Sequence, residues 1–392
     1  MEQYINRDIL TRELINNNIG GLLYKINPDS FIFELSRKKN NNNLAIHLIN
    51  NNFNINYIDP DLNLHTLFYC IPNNNYELIS ILIKNNINVN LCDIYNNTPL
   101  NYAIMVNNLR IVKLILKNKT ININHLGIIN ELSTNYNILN STYLIHSIVS
   151  IKNIKITKLI LNSNADVNKK VDYSALYYSI LHRSFNITFL LLNNKNIKIN
   201  NNEIILLFSD KLLLNNISDR LFYNLMKLLI CKGFNINHSN NHEQTILHLI
   251  CKDFNNYDKV KILLDFGANV NALDSMNQTP LFYASKILNV NIIDLLLRYY
   301  TNFKIRNLQN KMFLDVFMSS YQINEPYKYL NVDYFNDMTF IINRLKIETN
   351  WINRKKFVTF LYYFNKNTKN ILCYRDKVFT CESLYIYIAS FL

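Results

Sequence analysis

Two histidines and two cysteines are the residues whose types and proximity first suggest chemistry: Cys231, His238, His242 and Cys251. Imidazole nitrogens and cysteine thiolates are the ligands that Zn²⁺ prefers, and closed zinc sites use short, regular spacings between them. The spacing in this chain matches none of those motifs. We therefore expect the histidines to lie in a solvent-facing turn, the cysteines to be buried thiols, and no metal to be bound.

The chain contains no recognisable catalytic motif. It lacks G-x-x-x-x-G-K-[ST], G-x-G-x-x-G, G-x-S-x-G and H-E-x-x-H, and it holds only 5 Gly. Loops that cradle phosphates need several glycines, because the backbone must approach the ligand closely. We therefore expect a protein that is not an enzyme, with no catalytic residues, no cofactor and no small-molecule substrate.

A basic segment with aromatic neighbours is the remaining candidate for chemistry. Arg354-Lys355-Lys356 precedes Phe357, and Tyr362 and Tyr363 follow. Basic patches with interleaved aromatics are typical of nucleic-acid binding, but a run of three charges is more often a solvated helix face. The region 304–377 has 13 basic and 6 acidic residues, so a nucleic-acid-associated protein remains an alternative.

The composition is that of a globular, intracellular protein. Of its 392 residues 49% are hydrophobic, and the formal net charge is +13. The 6 Cys are scattered without a C-x-x-C pair, which is typical of reduced thiols inside the cell. The N-terminal MEQYINRDIL carries charges where a signal peptide has an apolar run, and no apolar stretch of about 18 residues predicts a transmembrane helix. The many Asn residues indicate an A/T-rich genome.

An internal repeat organises most of the chain. Asn-rich turns follow Leu- and Ile-rich segments, and each turn ends in an asparagine: Asn56, Asn90, Asn124, Asn168, Asn200, Asn237 and Asn271. The intervals between these asparagines are 34, 34, 44, 32, 37 and 34 residues. A period of this length, with an apolar helix end before each turn, predicts helix pairs that bury their faces against neighbouring copies.

Several units also share a helix start. Thr98-Pro-Leu-Asn-Tyr-Ala103 and Thr279-Pro-Leu-Phe-Tyr-Ala284 place Thr before a Pro at the first helical position. A Thr hydroxyl there can accept from an unpaired backbone N–H, and Pro loses nothing at that position. These residues resemble the ankyrin repeat, whose signature is T-P-L-H-x-A. His248 occupies the His of that signature, for which the resemblance implies hydrogen bonds between repeats rather than catalysis.

The resemblance implies an all-α fold, an ankyrin-repeat solenoid of about eight units with a C-terminal helical extension. We assign 1–26 to an N-terminal cap, 27–320 to the solenoid and 321–392 to the C-terminal region. The units are 27–57, 58–91, 92–125, 136–169, 170–201, 202–238, 239–272 and 273–306, with a partial unit to about 320. Asn86, Asn164 and Asn194 stand at or near the place where the repeat has a Gly with positive φ. The 44-residue interval predicts an extra loop at 126–135, either a binding loop or a tolerated insertion.

The tips of the repeats are the predicted binding surface. The resemblance implies that the turns between units and the inner helices form a concave face that binds proteins, as in ankyrin proteins. The tip residues in this chain include Ile94, Tyr95, Asn96, Tyr173, His242, Glu243, Ser275 and Met276. Exposed Tyr, Ile or Met side chains at these tips would anchor a partner, because such residues contribute much of the binding energy of interfaces. The alternative is that each tip residue only closes its turn.

Beyond residue 321 the period is lost, and helical segments are predicted at 335–348, 351–364 and 381–392. The region is similar to PRANC, the F-box-like end of many poxvirus ankyrin proteins. Its apolar pattern is matched by Leu384, Ile388, Phe391 and Leu392, whereas Thr380-Cys381 and Ser383 replace its Leu-Pro and Glu. The resemblance implies that the four apolar residues bind the Skp adaptor of a cullin ubiquitin ligase. A plain terminal cap is the alternative, since solenoids need capped ends.

The resemblance as a whole implies a viral, host-modulating protein of the host cytoplasm, with the nucleus as an alternative compartment. Its repeats would hold a host protein target, and its C-terminal region would recruit Skp adaptor and cullin. Proximity alone would then promote modification of the target. The alternative is an ankyrin-repeat protein that sequesters a host factor without recruiting a ligase. No membrane partner is expected.

Overall fold

The computed structural model describes residues 54–58, 64–129, 139–209 and 216–324, together with Ile49 and the segments 372–374 and 377–379. Most of these residues form short helices joined by tight turns. The helices are α1 (Thr66–Cys70), α2 (Tyr76–Lys84), α3 (Pro99–Met105), α4 (Leu109–Ile115), α5 (Tyr143–His146), α6 (Ile154–Asn162), α7 (Ala175–Leu181), α8 (Phe185–Leu192), α9 (Asn201–Leu207), α10 (Asp219–Cys231), α11 (Ile246–Ile250), α12 (Tyr257–Asp265), α13 (Pro280–Lys286), α14 (Val290–Arg298) and α15 (Phe313–Asn324). A π-helix at Ser147–Ile151 continues α5 directly.

The described residues divide into two compact units. The first runs to Leu207 and includes Cys231–Gly233, and the second contains Phe208–Ile230 and the chain from Phe234. Within each unit the helices pair in chain order, as α3 with α4 and α13 with α14. The first helix of a pair also packs on the first helix of the next pair, as α1 on α3 and α11 on α13. This is the stacking of helix pairs that the repeat predicts.

Aliphatic side chains fill the space between stacked pairs. In α4, Ile111, Val112 and Ile115 are all 0% exposed. Burial of one such side chain stabilises the folded state by roughly 1.5–3 kcal/mol. A helix of this length is not stable alone in water, so contacts with the neighbouring pairs hold it in place.

The helix starts use a side chain of the first turn as an acceptor. The backbone N–H of Thr98 donates to Asn101 Oδ1 at 3.0 Å, and that of Thr245 donates to His248 Nδ1 at 3.1 Å. Asn in one repeat therefore makes the contact that His makes in another. The prediction that the Thr hydroxyl caps its helix is wrong for Thr279, because its buried Oγ1 has no hydrogen-bond partner among the described residues.

Asparagine does replace glycine at two helix ends. Asn86 and Asn164 have φ of 60° and 62°, beside 97° at Gly233 and 87° at Gly267. Asn tolerates this left-handed conformation better than most residues, so the prediction is confirmed at both positions. It is wrong for Asn194, whose φ is not positive and whose Oδ1 accepts from the N–H of Asn196 at 2.9 Å.

The final asparagines of the turns join successive repeats. Asn90 Oδ1 accepts from the N–H of Asn122 at 2.8 Å, and Asn90 Nδ2 donates to the carbonyl of Thr120 at 2.8 Å. The same pair of bonds recurs at Asn168, Asn237 and Asn271. Only an amide side chain offers both a donor and an acceptor at this reach, so these asparagines have a structural role besides any codon bias.

The 44-residue interval contains a β-hairpin rather than only a loop. Strand β1 (Leu126–Ile129) pairs antiparallel with β2 (Leu139–Thr142). The N–H of Ile128 donates to Asn97 Oδ1 at 2.9 Å, so the hairpin rests against the preceding repeat. Residues 130–138 lie outside the described part of the chain. Helical periodicity did not predict these strands, because their pairing depends on residues on either side of the insertion.

The C-terminal predictions are described only in part. Helix α15 packs on α13, which agrees with a partial repeat unit to about residue 320. Farther along, strands β3 (Leu372–Tyr374) and β4 (Lys377–Phe379) form an antiparallel pair that was not predicted. The predicted N-terminal cap at 1–26 and the helices predicted at 335–348, 351–364 and 381–392 lie outside the described residues.

Candidate protein-binding site

Four repeat tips share one hydrogen-bonded turn. Each tip has five residues and begins with Asp or Asn: 93–97, 240–244, 274–278 and 307–311. In the third, Asp274 Oδ1 accepts from the N–H of Met276 at 2.9 Å and of Gln278 at 2.8 Å. The fourth residue of every tip has a positive φ: Asn96 59°, Glu243 57°, Asn277 58° and Asn310 60°. The first and fourth residues therefore hold the turn, and the second and third residues are free of that task.

The second and third residues of the tips are exposed. Ile94 is 60% exposed, Tyr95 51% and Met276 44%. Ser275 and His242 are exposed as well. Because a rigid turn already orders the backbone beneath them, such side chains lose little conformational freedom when a partner binds. Five of the predicted tip residues therefore have the geometry that an anchor needs.

The other three predicted tip residues make structural contacts. Tyr173 is half-buried, and its ring stacks on that of Tyr177 with centroids 4.0 Å apart. Asn96 and Glu243 close their turns in the left-handed conformation. Asn96 Nδ2 also donates to the carbonyl of Leu126 at 2.6 Å, which ties its tip to the hairpin. For these residues the geometry fits closure or packing of the turn.

Three tips of the second unit are consecutive and bonded to each other. The N–H of Ser275 donates to the carbonyl of His242 at 3.0 Å, and the N–H of Leu308 donates to the carbonyl of Met276 at 3.1 Å. Together with α13 and α15, the three tips line an open pocket of about 630 Å³. Sequence reasoning missed the tip at 307–311, although its Asn-x-x-Asn-Lys repeats the Asp-x-x-Asn-Gln of the tip at 274–278.

A tyrosine of α13 holds the tip at 274–278 in place through its hydroxyl group. The hydroxyl of Tyr283 donates to Asp274 Oδ2 at 2.5 Å and accepts from Gln244 Nε2 at 2.6 Å. Tyr102 makes the equivalent bond to Asp93 Oδ2 at 2.8 Å in the first unit. Burial, and then the bond to Asp274, raise the pKa of Tyr283, so its hydroxyl stays protonated and serves as a donor.

His248 joins two repeats as the resemblance implied. Its Nδ1 accepts from the N–H of Thr245, so Nε2 carries the proton and donates to the carbonyl of Gln278 at 3.0 Å. Burial lowers the pKa of His248, which favours this neutral form. The side chain is fully engaged in structural hydrogen bonds, and the predicted role between repeats is confirmed.

The His and Cys residues considered as zinc ligands do not form a cluster. Within the described ranges, no group of three or more His, Cys, Asp or Glu side chains could hold a metal ion. Cys251 is buried, as predicted, and burial raises the pKa of its thiol. Cys231 is exposed, so the prediction that it is buried is wrong. It is the last residue of α10, where the helix ends. His242 is exposed in its tip, as expected, and His238 is half-buried.

The C-terminal candidates lie outside the described residues: Leu384, Ile388, Phe391, Leu392 and the basic segment 354–363. Their roles stay predictions. Among the helices that the structure describes, none combines the length and the apolarity needed to cross a bilayer.

Comparison with known proteins identifies the repeats. The family model described as Ankyrin repeats (3 copies) matches residues 33–126 and 217–307. The human and Pongo abelii proteins named Ankyrin repeat and SOCS box protein 11 are each 37% identical over 91 residues, which is 23% of this chain and 28% of theirs. Putative ankyrin repeat protein FPV230 of Fowlpox virus (strain NVSL) is 42% identical over 60 residues, 15% of this chain and 31% of that protein. The matches span less than a third of the length of these relatives.

Solved structures of ankyrin repeat domains align with the chain at low scores. The human ASB11 domain is 21% identical with a TM-score of 0.32, covering 67% of this chain and 99% of that one. The Bcl-3 domain is 14% identical with a TM-score of 0.34, covering 73% and 92%. The family match and the helix pairs described above confirm the predicted ankyrin repeats and helix-rich fold.

Proposed function

We propose that this protein is a non-catalytic scaffold that holds a protein target on its repeat tips. Ankyrin repeats imply a protein-binding surface, and the bonded tips of the second unit support its placement there. The observation that carries the proposal is the exposure of large apolar side chains on rigid turns, Met276 in the second unit and Ile94 and Tyr95 in the first. Such side chains are the usual anchors of protein interfaces.

Four titratable groups of the repeats have pKa values that are moved away from neutral pH. Burial lowers the pKa of His65 and His146 to about 4. Burial also raises the pKa of Tyr102 and Tyr143 well above its ordinary value. At neutral pH the two imidazoles are therefore neutral and the two hydroxyls are protonated, which suits structural hydrogen bonds.

The second part of the proposal is that the C-terminal region links the bound target to a Skp–cullin–F-box ubiquitin ligase in a host cytoplasm. The apolar pattern of Leu384, Ile388, Phe391 and Leu392 supports this adaptor role. The name of the human relative pairs ankyrin repeats with a SOCS box, which offers a parallel for repeats joined to a second module. The match to a fowlpox ankyrin repeat protein supports a viral, host-modulating role.

Affinity purification from host cells tests both parts. The intact chain is compared with the tip variant Met276→Asp and with the double variant Leu384→Asp, Ile388→Asp. The control is Tyr76→Asp, an exposed residue at the start of α2, where an acidic side chain suits the helix dipole. We expect the tip variant to lose the target, the double variant to lose Skp adaptor and cullin, and the control to keep all of them.

The outcomes separate the two parts of the proposal. Retention of every partner by the Met276→Asp variant would show that the tip at 274–278 does not hold the target. A target that is captured without Skp or cullin would reject the adaptor role and leave the protein as a sequestering module.

A further inference from the structure

The pocket of the second unit has more positive charge than its own acids neutralise. Lys286 and Lys311 line it, together with the apolar side chains of Met276 and Val316. Asp274 is the one acid among the lining residues, and it is 4% exposed. Its carboxylate oxygens accept from two backbone N–H groups and from the Tyr283 hydroxyl, so Asp274 is committed to the fold.

Among the residues that the structure describes, neither lysine of the pocket forms an ion pair with a carboxylate. Lys286 Nζ donates to Gln278 Oε1 at 2.7 Å and stands 4.9 Å from the centroid of the Tyr283 ring. Within the described residues, the ion pairs involve other cations, Lys170, Lys259 and Arg298. Partial burial lowers the pKa of Lys286, and Asp274 opposes that effect only in part. An incoming anion would therefore restore favourable electrostatics at this position.

We infer that this pocket binds an acidic segment of the protein target, with carboxylates on Lys286 and Lys311 and an aliphatic neighbour on Met276. The inference rests on the proposed scaffold function and specifies its partner. Carboxylates form strong, charge-assisted hydrogen bonds with lysine ammonium groups. The exposed Met276 beside the lysines suits a segment that mixes acidic and aliphatic side chains.

The aromatic side chain of the pocket favours a peptide over a nucleic acid. Single-stranded nucleic acids bind through bases stacked on free aromatic faces. The ring of Tyr283 is instead approached by two ammonium groups, Lys286 at 4.9 Å and Lys252 at 5.2 Å from its centroid. Its hydroxyl is held by Asp274 and Gln244. Tyr283 is also only 6% exposed, so its ring is not available for stacking with a base.

Fluorescence anisotropy with the full chain tests the inference. The probe is a short fluorescein-labelled peptide of alternating Glu and Leu, compared with the matched Gln–Leu and Lys–Leu peptides and with a thymidine oligonucleotide. The variants are Lys286→Met and Lys311→Glu. Lys304→Gln is the control, since this exposed lysine lies outside the pocket lining and its loss also lowers the net charge.

We expect the Glu–Leu peptide to bind the intact chain and the control, and to bind each pocket variant roughly tenfold more weakly. Lys311→Glu should also gain binding of the Lys–Leu peptide, a change that simple unfolding would not produce. Added salt should weaken the binding of the Glu–Leu peptide.

Three results would overturn the inference: no binding of the Glu–Leu peptide, unchanged affinity in both pocket variants, or equal binding of the Gln–Leu peptide. Equally tight binding of the oligonucleotide that is lost in the same variants would assign the pocket to nucleic acid instead. If Met276→Asp loses the target in affinity purification while Lys286→Met with Lys311→Glu retains it, only the acidic specificity fails and the scaffold function stands.

Discussion

The side-chain oxygen of Asn168 accepts a hydrogen bond from the backbone N–H of Lys198 at 2.8 Å, across the boundary between two repeats. The amide nitrogen of the same side chain donates to the carbonyl of Asn196 at 2.7 Å. One asparagine thus satisfies two backbone groups of the next turn. Equivalent bonds at Asn90, Asn237 and Asn271 make this a recurring link between neighbouring repeats.

Removal of this link should destabilise the first unit. We expect Asn168→Ala to lower the free energy of unfolding by about 1 kcal/mol, because two inter-repeat bonds are lost and water replaces the amide at these exposed positions. Urea denaturation followed by circular dichroism measures the change. The control is Asn193→Ala, an exposed asparagine at the end of α8, for which we expect a change within about 0.5 kcal/mol. Equal effects of the two substitutions would show that the inter-repeat bonds contribute little.

Glycine should have opposite effects at two nearby lysines. Lys152 ends the π-helix with φ of 53°, whereas the exposed Lys158 lies inside α6. Lys152→Gly relieves a left-handed conformation and should stabilise the protein by about 0.5–1 kcal/mol. Lys158→Gly should destabilise it by about 1 kcal/mol, because glycine is a poor helix former. Thermal melting of the pair measures both signs, and a loss of stability in both variants would contradict the left-handed assignment.

A buried histidine should make stability depend on pH. Burial lowers the pKa of His146 to about 4, from 6.5 in an unfolded chain. Between those values the unfolded state binds a proton that the folded state does not, so stability falls as the pH drops from about 6.5 towards 4. The expected loss is on the order of 3 kcal/mol for this group.

Urea titrations across that pH window, on the parent and on His146→Gln, measure the contribution. The variant should show a shallower decline than the parent. His242→Gln, a change on an exposed tip, is the control and should follow the parent curve. If all three proteins decline in parallel, His146 is not the group that titrates.

The hairpin should tolerate no side chain at Gly127. A Cβ at that position would lie 2.6 Å from Asn97 Oδ1 and 2.8 Å from Asn101 Nδ2. Both asparagines are buried, and Asn97 Oδ1 already accepts from Ile128. We expect Gly127→Ala to destabilise the first unit by about 1–3 kcal/mol through overpacking. Asn122→Ala, at an exposed position in the preceding turn, serves as the comparison, and an unchanged melting temperature for Gly127→Ala would refute the close packing.

The helix pairs could be predicted from the sequence because their determinants are local. Each repeat has the same kind of turn and several share a helix start. The turns give the regular intervals between Asn56, Asn90 and Asn124, and the helix starts give the Thr-Pro-Leu sequences at Thr98 and Thr279. Each unit must bury its apolar helix faces on its neighbours, so a regular period indicates stacked pairs even without contacts. The positive φ of Asn86 and Asn164 followed from the same local reasoning.

Only part of the candidate protein-binding site could be predicted from the sequence. Composition and spacing located the tips that contain Ile94, Tyr95 and Met276, but the contribution of each residue depends on partners in other repeats. Asn96 contacts Leu126 and Tyr173 stacks on Tyr177, and neither contact follows from tip position alone. The tip at 307–311 lies beyond the last complete unit, where the repeat pattern weakens.

The sequence by itself therefore determined the period, the helix starts and the approximate position of the tips, because these depend on residues within one repeat. Only the tertiary structure decided which asparagines bond across repeats, how the insertion pairs as a hairpin, and that Lys286 and Lys311 line the same pocket. Those relationships join residues from different repeats or from distant turns. Stacking brings such residues together. A hydrogen bond needs its two heavy atoms within about 3 Å, and salt screens charges beyond about 10 Å, so the partners are defined once the repeats have packed.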